Sequence, residues 1–88
     1  MSRLSHRPRA DHRRTVEEAR RQPGVWLHVV DYRSTPVAED VARRIRNGYP
    51  IGAHAYGTPY QPTGAFEART ELVDDGTRLQ VRYIGGDQ

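Results

Sequence analysis

The chain has 88 residues, with 14 arginines, no lysine, 11 acidic side chains and a formal charge of +3. So short a chain buries only about 60% of the surface it exposes when unfolded, which allows one domain with a modest core and excludes a second. The absence of cysteine excludes a disulfide framework, a thiolate nucleophile and a thiolate zinc site. No apolar run is long enough for a secretory h-region or a membrane span, so the expected compartment is the cytoplasm.

Residues 1–9 are too polar to offset the entropy of ordering them, and a disordered tail is expected. Residues 1–21 hold seven arginines against Asp11, Glu17 and Glu18, a local charge of +4 that leaves −1 for the rest. The basicity therefore belongs mostly to an N-terminal arm over residues 1–22. Arginine at every basic position also fits the coding bias of a high-GC bacterium. Within the arm, residues 10–22 permit a helix with Asp11 as N-cap, but Val16 and Ala19 are nearly its only apolar groups. Such a helix must lean on something, and Pro23-Gly24 ends it.

Val25 to Tyr32 reads as a strand of β-branched and aromatic residues. Strict alternation puts Val25, Leu27 and Val29 on one face and Trp26, His28, Val30 and Tyr32 on the other, so the strand is expected to be central in the sheet or covered on both sides. Residues 35–46 form the strongest helix, with Thr35 as cap and Pro36 in the first helical position. Val37, Val41 and Ile45 recur every fourth residue as an apolar stripe widened by Ala38 and Ala42. Arg43, Arg44 and Arg46 crowd the last turn, where cations suit the helix dipole, and Asn47-Gly48 supplies the exit.

Residues 49–64 contain three prolines and three glycines without a steady period, and read as a long loop, an element that in compact domains is usually functional or disordered. Residues 66–84 form a hairpin about Asp75-Gly76. That turn sets Leu72 against Leu79, Thr70 against Val81 and Ala68 against Tyr83, leaving Glu67, Arg69, Glu71, Arg78, Gln80 and Arg82 on a solvated face. Residues 85–88 are a frayed end. The fold class is α+β: a three-stranded, mostly antiparallel sheet packed on one main helix, either with the last strand in the middle or with the first strand paired directly with the second. Residues 23–86 form a single α+β domain. Its core is expected where Val37, Val41 and Ile45 meet Phe66, Leu72, Leu79, Val81 and Tyr83.

Between Val41 and Phe66 no acidic residue occurs, while arginines and tyrosines do. Positive charge beside exposed rings suits phosphate backbones and unpaired bases. Arg43, Arg44 and Arg46 can contact phosphates with the Tyr49 ring beside them, or can simply satisfy the helix end. Tyr56 and Tyr60 can stack on bases or anchor a protein, or fold back to hold the loop down. Arg69, Arg78 and Arg82 can lie in a groove as the arginines of a sheet face do, or can be a solvated face alternating with glutamates. Arg69 directly opposite Arg82 is a like-charge pair that an anion, or a flanking glutamate such as Glu67 or Glu71, would relieve. Arg13 and Arg14, with Arg3, Arg7 and Arg9, can follow a nucleic-acid backbone as a flexible arm.

Enzyme readings find only fragments. His28 and Asp31, three apart on a regular strand, point to opposite faces and cannot orient each other. His54 with Arg69 or Arg82 on a phosphate would make a small ribonuclease of the toxin kind. His6, His12, His28 and His54 lack the close pairing of a zinc motif, and no glycine-rich loop cradles a phosphate, so neither metal nor cofactor is expected.

The segments Pro23-Gly24-Val25-Trp26 with Tyr32 downstream, Arg43-Arg44-Ile45-Arg46-Asn47-Gly48, and Gly64-Ala65-Phe66-Glu67-Ala68-Arg69 followed by Val81-Arg82-Tyr83-Ile84-Gly85 resemble small uncharacterised proteins carried on phages and integrative elements of high-GC bacteria. The resemblance covers residues 23–86 and brings no activity or site residues. It implies a setting in which short DNA-associated and host-interaction proteins are common. The expected function is a non-enzymatic nucleic-acid-binding accessory protein, DNA favoured over RNA, with phosphates touched by the arm and the helix end and closer contacts made by the sheet face or the tyrosine loop. The alternative is a protein-interaction module, with a host protein or a second copy as partner. It is favoured if Trp26, Val30 and Tyr32 form one exposed patch.

Overall fold

In a computed structural model, residues 10–51 and 58–85 are described. Their elements run α1 (His12–Arg21), β1 (Leu27–Tyr32), α2 (Thr35–Asn47), β2 (Phe66–Val73) and β3 (Gly76–Tyr83). The sheet order is β1-β3-β2 and both pairings are antiparallel. The last strand is central, the first of the two orders that the sequence allows, and the chain is α+β. Both helices pack on one face of the sheet, where Val16, Ala19, Ala42 and Ile45 meet Val30, Phe66, Ala68, Leu79 and Val81. Among the described residues, no helix is long and apolar enough to cross a membrane.

Helix α1 starts where Asp11 accepts from the Arg14 N–H at 3.1 Å. It buries His12, Val16 and Ala19, spaced four and three apart along one stripe. Because so narrow a stripe cannot hold a helix of this length by itself, it is tied by contacts distant in sequence. His12 Nδ1 lies 2.8 Å from the Tyr60 hydroxyl, and Arg20 donates to the Gln61 carbonyl at 2.6 Å. The Arg20 guanidinium also lies over the Tyr83 ring at 4.8 Å. His12, Tyr60, Phe66 and Tyr83 form a chain of ring contacts with centroids 5.4, 5.2 and 5.1 Å apart, edge or tilted geometries that suit aromatic quadrupoles.

Helix α2 departs from expectation at both its cap and its face. Ser34, not Thr35, is the N-cap and accepts from the Val37 N–H. The Thr35 hydroxyl instead bonds to that of Thr77, which is buried in β3, at 2.6 Å. The buried stripe is Ala38, Ala42 and Ile45, while Val41 lies at its margin and Val37 is 47% exposed. Alanines beneath the helix let its backbone approach the sheet, and that rotation turns Val37 outward. Gly48, at φ 71°, closes the helix by donating to the Arg44 and Ile45 carbonyls.

The hairpin register differs by two residues from the expected one. The turn is Asp74-Asp75, so Ala68 faces Val81, Thr70 faces Leu79 and Leu72 faces Thr77. On the polar face this sets Glu67 opposite Arg82 and Glu71 opposite Arg78. Opposite charges directly across a ladder stabilise it, whereas the shifted register would have put Arg69 on Arg82. Gly76 is needed for a reason other than turn geometry: a Cβ there would stand 2.1 Å from the Tyr32 carbonyl oxygen of β1. Leu72, expected in the core, is 76% exposed at the far end of the edge strand.

Strand β1 breaks its own alternation. Its pairing with β3 shifts between His28 and Val30, a bulge at Val29. Before the bulge Leu27 faces the helices, and after it Val30 and Tyr32 do, opposite Leu79 and Thr77.

Candidate nucleic-acid interface

The bulge sorts the polar side chains of β1 onto the other, helix-free face of the sheet. There Trp26, His28 and Asp31 stand beside the polar residues of β3 and β2 in three rows. Trp26 adjoins Arg82 and Glu67, His28 adjoins Gln80 and Arg69, and Asp31 adjoins Arg78 and Glu71. The Arg69 guanidinium lies 4.0 Å and that of Arg82 4.6 Å from the centre of the Trp26 ring. Each is steadied from the side: Arg69 donates to Gln80 Oε1 at 2.8 Å, and Arg82 donates to Glu67. The outcome is a flat aromatic and guanidinium platform on an open sheet face.

His28 and Asp31 are hydrogen-bonded at 2.9 Å, against the expectation that they diverge. The extra residue at the bulge returns position 31 to the face of position 28. Arg78 donates to the same carboxylate, from Nε at 3.1 Å. The Arg78 bond, with His28 adding to it, holds the Asp31 carboxyl below the usual carboxylate range, and Arg78 is correspondingly raised. An ionised carboxylate only accepts, so the His28 Nε2–H is the donor and the imidazole is oriented by its neighbour.

The other candidate residues lie elsewhere. Arg43 and Arg44 both donate to Asp40, one helical turn back, and the Arg44 bond holds the Asp40 carboxyl low, with Arg43 second. Arg44 also donates to the Pro50 carbonyl and Arg46 to that of Ala68. These three, with the half-exposed Tyr49, sit on the helical side of the sheet, away from Arg69, Arg78 and Arg82. Arg13 and Arg14 are exposed on α1, and Arg14 shares a groove beside β1 with His28. Tyr56 and His54 fall outside the described residues. Helix α1 is docked into the core through Val16 and Ala19.

Tyr60 is the correction among the candidate residues: it is fully buried and cannot stack on a base. Burial, with Tyr32 nearby as a smaller cause, pushes its phenol well above the ordinary range, so it stays protonated and bonded to His12. Trp26 and His28 are the participants that sequence reasoning does not join to the hairpin's polar face, on which it already sets Gln80. A strand with two apolar sides is the available signal, because a bulge can produce the same pattern as full burial. The patch of Trp26, Val30 and Tyr32 that would favour a protein partner is not formed, since Val30 and Tyr32 face the helices.

No family model, curated protein or solved structure matches this chain.

Proposed function

We propose that the protein binds nucleic acid on the open face of its sheet, with DNA as the favoured form. The observation that supports this reading is the Trp26 ring with the Arg69 and Arg82 guanidinium groups over it. Guanidinium planes laid over an indole give a base a flat cationic surface to stack on, and base stacking on such platforms contributes about 1–3 kcal/mol per base. Guanidinium groups stacked on indole keep their N–H edges available for phosphate oxygens, which they meet in a fork. The rim of the platform adds an oriented imidazole at His28 and an amide at Gln80, groups able to meet base edges or sugar hydroxyls.

Charge shapes the expected behaviour. Arg69, Arg78 and Arg82 on this face are balanced by Asp31, Glu67 and Glu71, so long-range attraction comes from the chain's overall +3 and from α1. Few phosphates are neutralised, which predicts a shallow dependence of affinity on salt and a large share for stacking. Single-stranded DNA is accordingly expected to bind more tightly than duplex.

Trp26 is the only tryptophan, so its own emission tests the reading. Titration with an oligothymidylate, with duplex DNA of equal length and with the corresponding RNA is expected to quench Trp26 fluorescence, most strongly with the single strands. Absence of quenching at low salt by all three would reject the platform. Quenching with equal affinity for duplex would favour groove binding over stacking.

A further inference from the structure

With β3 between the other two strands, β2 is an edge of the sheet. The Ile84 N–H bonds to the Ala65 carbonyl across the β2–β3 ladder, and the Gly24 N–H bonds to the Tyr83 carbonyl on the β1 side of β3. In an antiparallel ladder that alternation makes the odd-numbered residues of β2 bond to β3. Phe66, Ala68, Thr70 and Leu72 therefore turn their N–H and C=O groups outward. The outward oxygen of Ala68 is met by Arg46 at 3.0 Å. Beside Thr70, between this edge and the outer flank of α2, runs a groove of about 550 Å³ lined by Pro36, Glu39, Asp40, Arg43 and Arg46. Leu72, 76% exposed, belongs to the same edge.

We infer that the occupant of this edge is a second copy of the chain, β2 pairing with β2 antiparallel about a twofold axis at Thr70. An exposed edge recruits another strand through its unpaired backbone groups, and the side chains decide which strand. Here the open-face side of β2 reads Glu67, Arg69, Glu71, a pattern complementary to itself when reversed about Thr70. Arg69 then stands opposite Glu71 of the second copy, and Glu71 opposite its Arg69, in the arrangement that stabilises cross-strand pairs. On the other side Leu72 is covered by Ala68 of the second copy. A twofold at Arg69 or at Glu71 would set like charges face to face. A twofold at Ala68 would end the overlap at Phe66 and leave Leu72 uncovered.

Helix α2 fits the same axis. The flank that lines the groove is acidic at Glu39 and Asp40 and basic at Arg43 and Arg46. Two such helices approaching antiparallel across the twofold bring the acidic half of one toward the basic half of the other. The product is a continuous six-stranded sheet with all four helices on one side and both Trp26 platforms on the other. Because the axis is perpendicular to the sheet, the two open faces point the same way, as one strand of nucleic acid would need in order to cross both.

Sedimentation equilibrium of the full chain without nucleic acid tests the pairing independently of the nucleic-acid reading. The mass is expected to rise from 10.1 kDa toward twice that across a dilution series from micromolar to millimolar. Thr70→Pro removes one outward N–H while leaving the bonds to β3 in place, and is expected to remain monomeric throughout with an unchanged circular dichroism spectrum. Arg69→Glu and Glu71→Arg each create like-charge facing pairs and are expected to be monomeric alone. An equal mixture of the two is expected to recover the dimer, because each then faces its opposite. A wild type at 10.1 kDa over the whole range would overturn the inference. So would Arg69→Glu and Glu71→Arg proteins that dimerise separately as well as they do together.

Discussion

Replacing Arg82 with alanine separates the platform from every other cluster of arginines in the molecule. In the free protein the change removes an ion pair with Glu67, whose partners are 33% and 40% exposed. Pairs this open contribute about 0.2–1 kcal/mol. It also removes one cation from above the Trp26 ring at 4.6 Å, a contact of about 0.5–1 kcal/mol at such a site. The stability cost is therefore about 1–2 kcal/mol, and the fold survives. On binding, one lost phosphate contact lowers the slope of log affinity against log salt by about 0.7 on a single strand. Arg69→Ala is expected to do the same, and Arg43→Ala supplies the control, because it removes an equal charge from the opposite side of the sheet. Fluorescence anisotropy of a labelled oligonucleotide over a salt series measures all three. Equal slopes for Arg82→Ala and the wild type, or an equal loss for Arg43→Ala, would refute the assignment of phosphates to the open face.

Three further outcomes concern the frame that carries this face. Gly76→Ala drives a methyl group against the Tyr32 backbone oxygen, 2.1 Å away, and a backbone obstacle cannot rotate aside. Chemical denaturation is expected to show a loss of about 3 kcal/mol, the upper end of the range for overpacking. Tyr60→Phe deletes a buried hydroxyl bonded to His12 and is expected to cost about 1–2 kcal/mol at neutral pH. Because burial raises the folded Tyr60 phenol, its contribution is present below about pH 10 and is lost as pH rises above that. The variant should therefore show a shallower alkaline decline in melting temperature. Asp31 has the opposite sign: its lowered carboxyl contributes above about pH 4, and that contribution is lost as pH falls through the depressed folded value. Asp31→Asn is expected to flatten the acid limb of the same melting profile, and an unchanged limb would show that the Arg78 and His28 bonds contribute nothing in solution.

Element types were legible because they depend on local signals, such as Pro36 at a helix start, Gly48 at its end and alternation along residues 66–83, whereas strand order was narrowed only to two choices. What was not legible depends on single-residue offsets that local signals do not carry. The bulge at Val29 adds one residue to β1, and with it His28 and Asp31 move from opposite faces to a hydrogen bond. The turn at Asp74-Asp75 in place of Asp75-Gly76 is decided by cross-strand charge and by the passage of Tyr32 over Gly76, both long-range facts. Val37 and Ala38 are adjacent apolar residues, and only the closeness of helix to sheet selects the smaller one for the interior. The candidate site followed the same division. Arg69, Arg78 and Arg82 were readable as one face of a hairpin, whereas Trp26 joins them only through the pairing of β1 with β3. Tyr60 looked like a loop residue because its partner, His12, lies 48 positions away.

That last separation fixes an order of events in folding. Helix α1 has little to hold it by itself, and its anchors are Tyr60 at 48 positions and Gln61 at 41, with Tyr83 beyond them. When the chain is synthesised, this helix leaves the ribosome before the loop and hairpin that complete its seat exist. It must wait, unpaired, until the hairpin has been made. Docking of α1 is then the closing step, and the hydroxyl of Tyr60 reports it: a probe of that phenol would register completion of the whole molecule from a single atom.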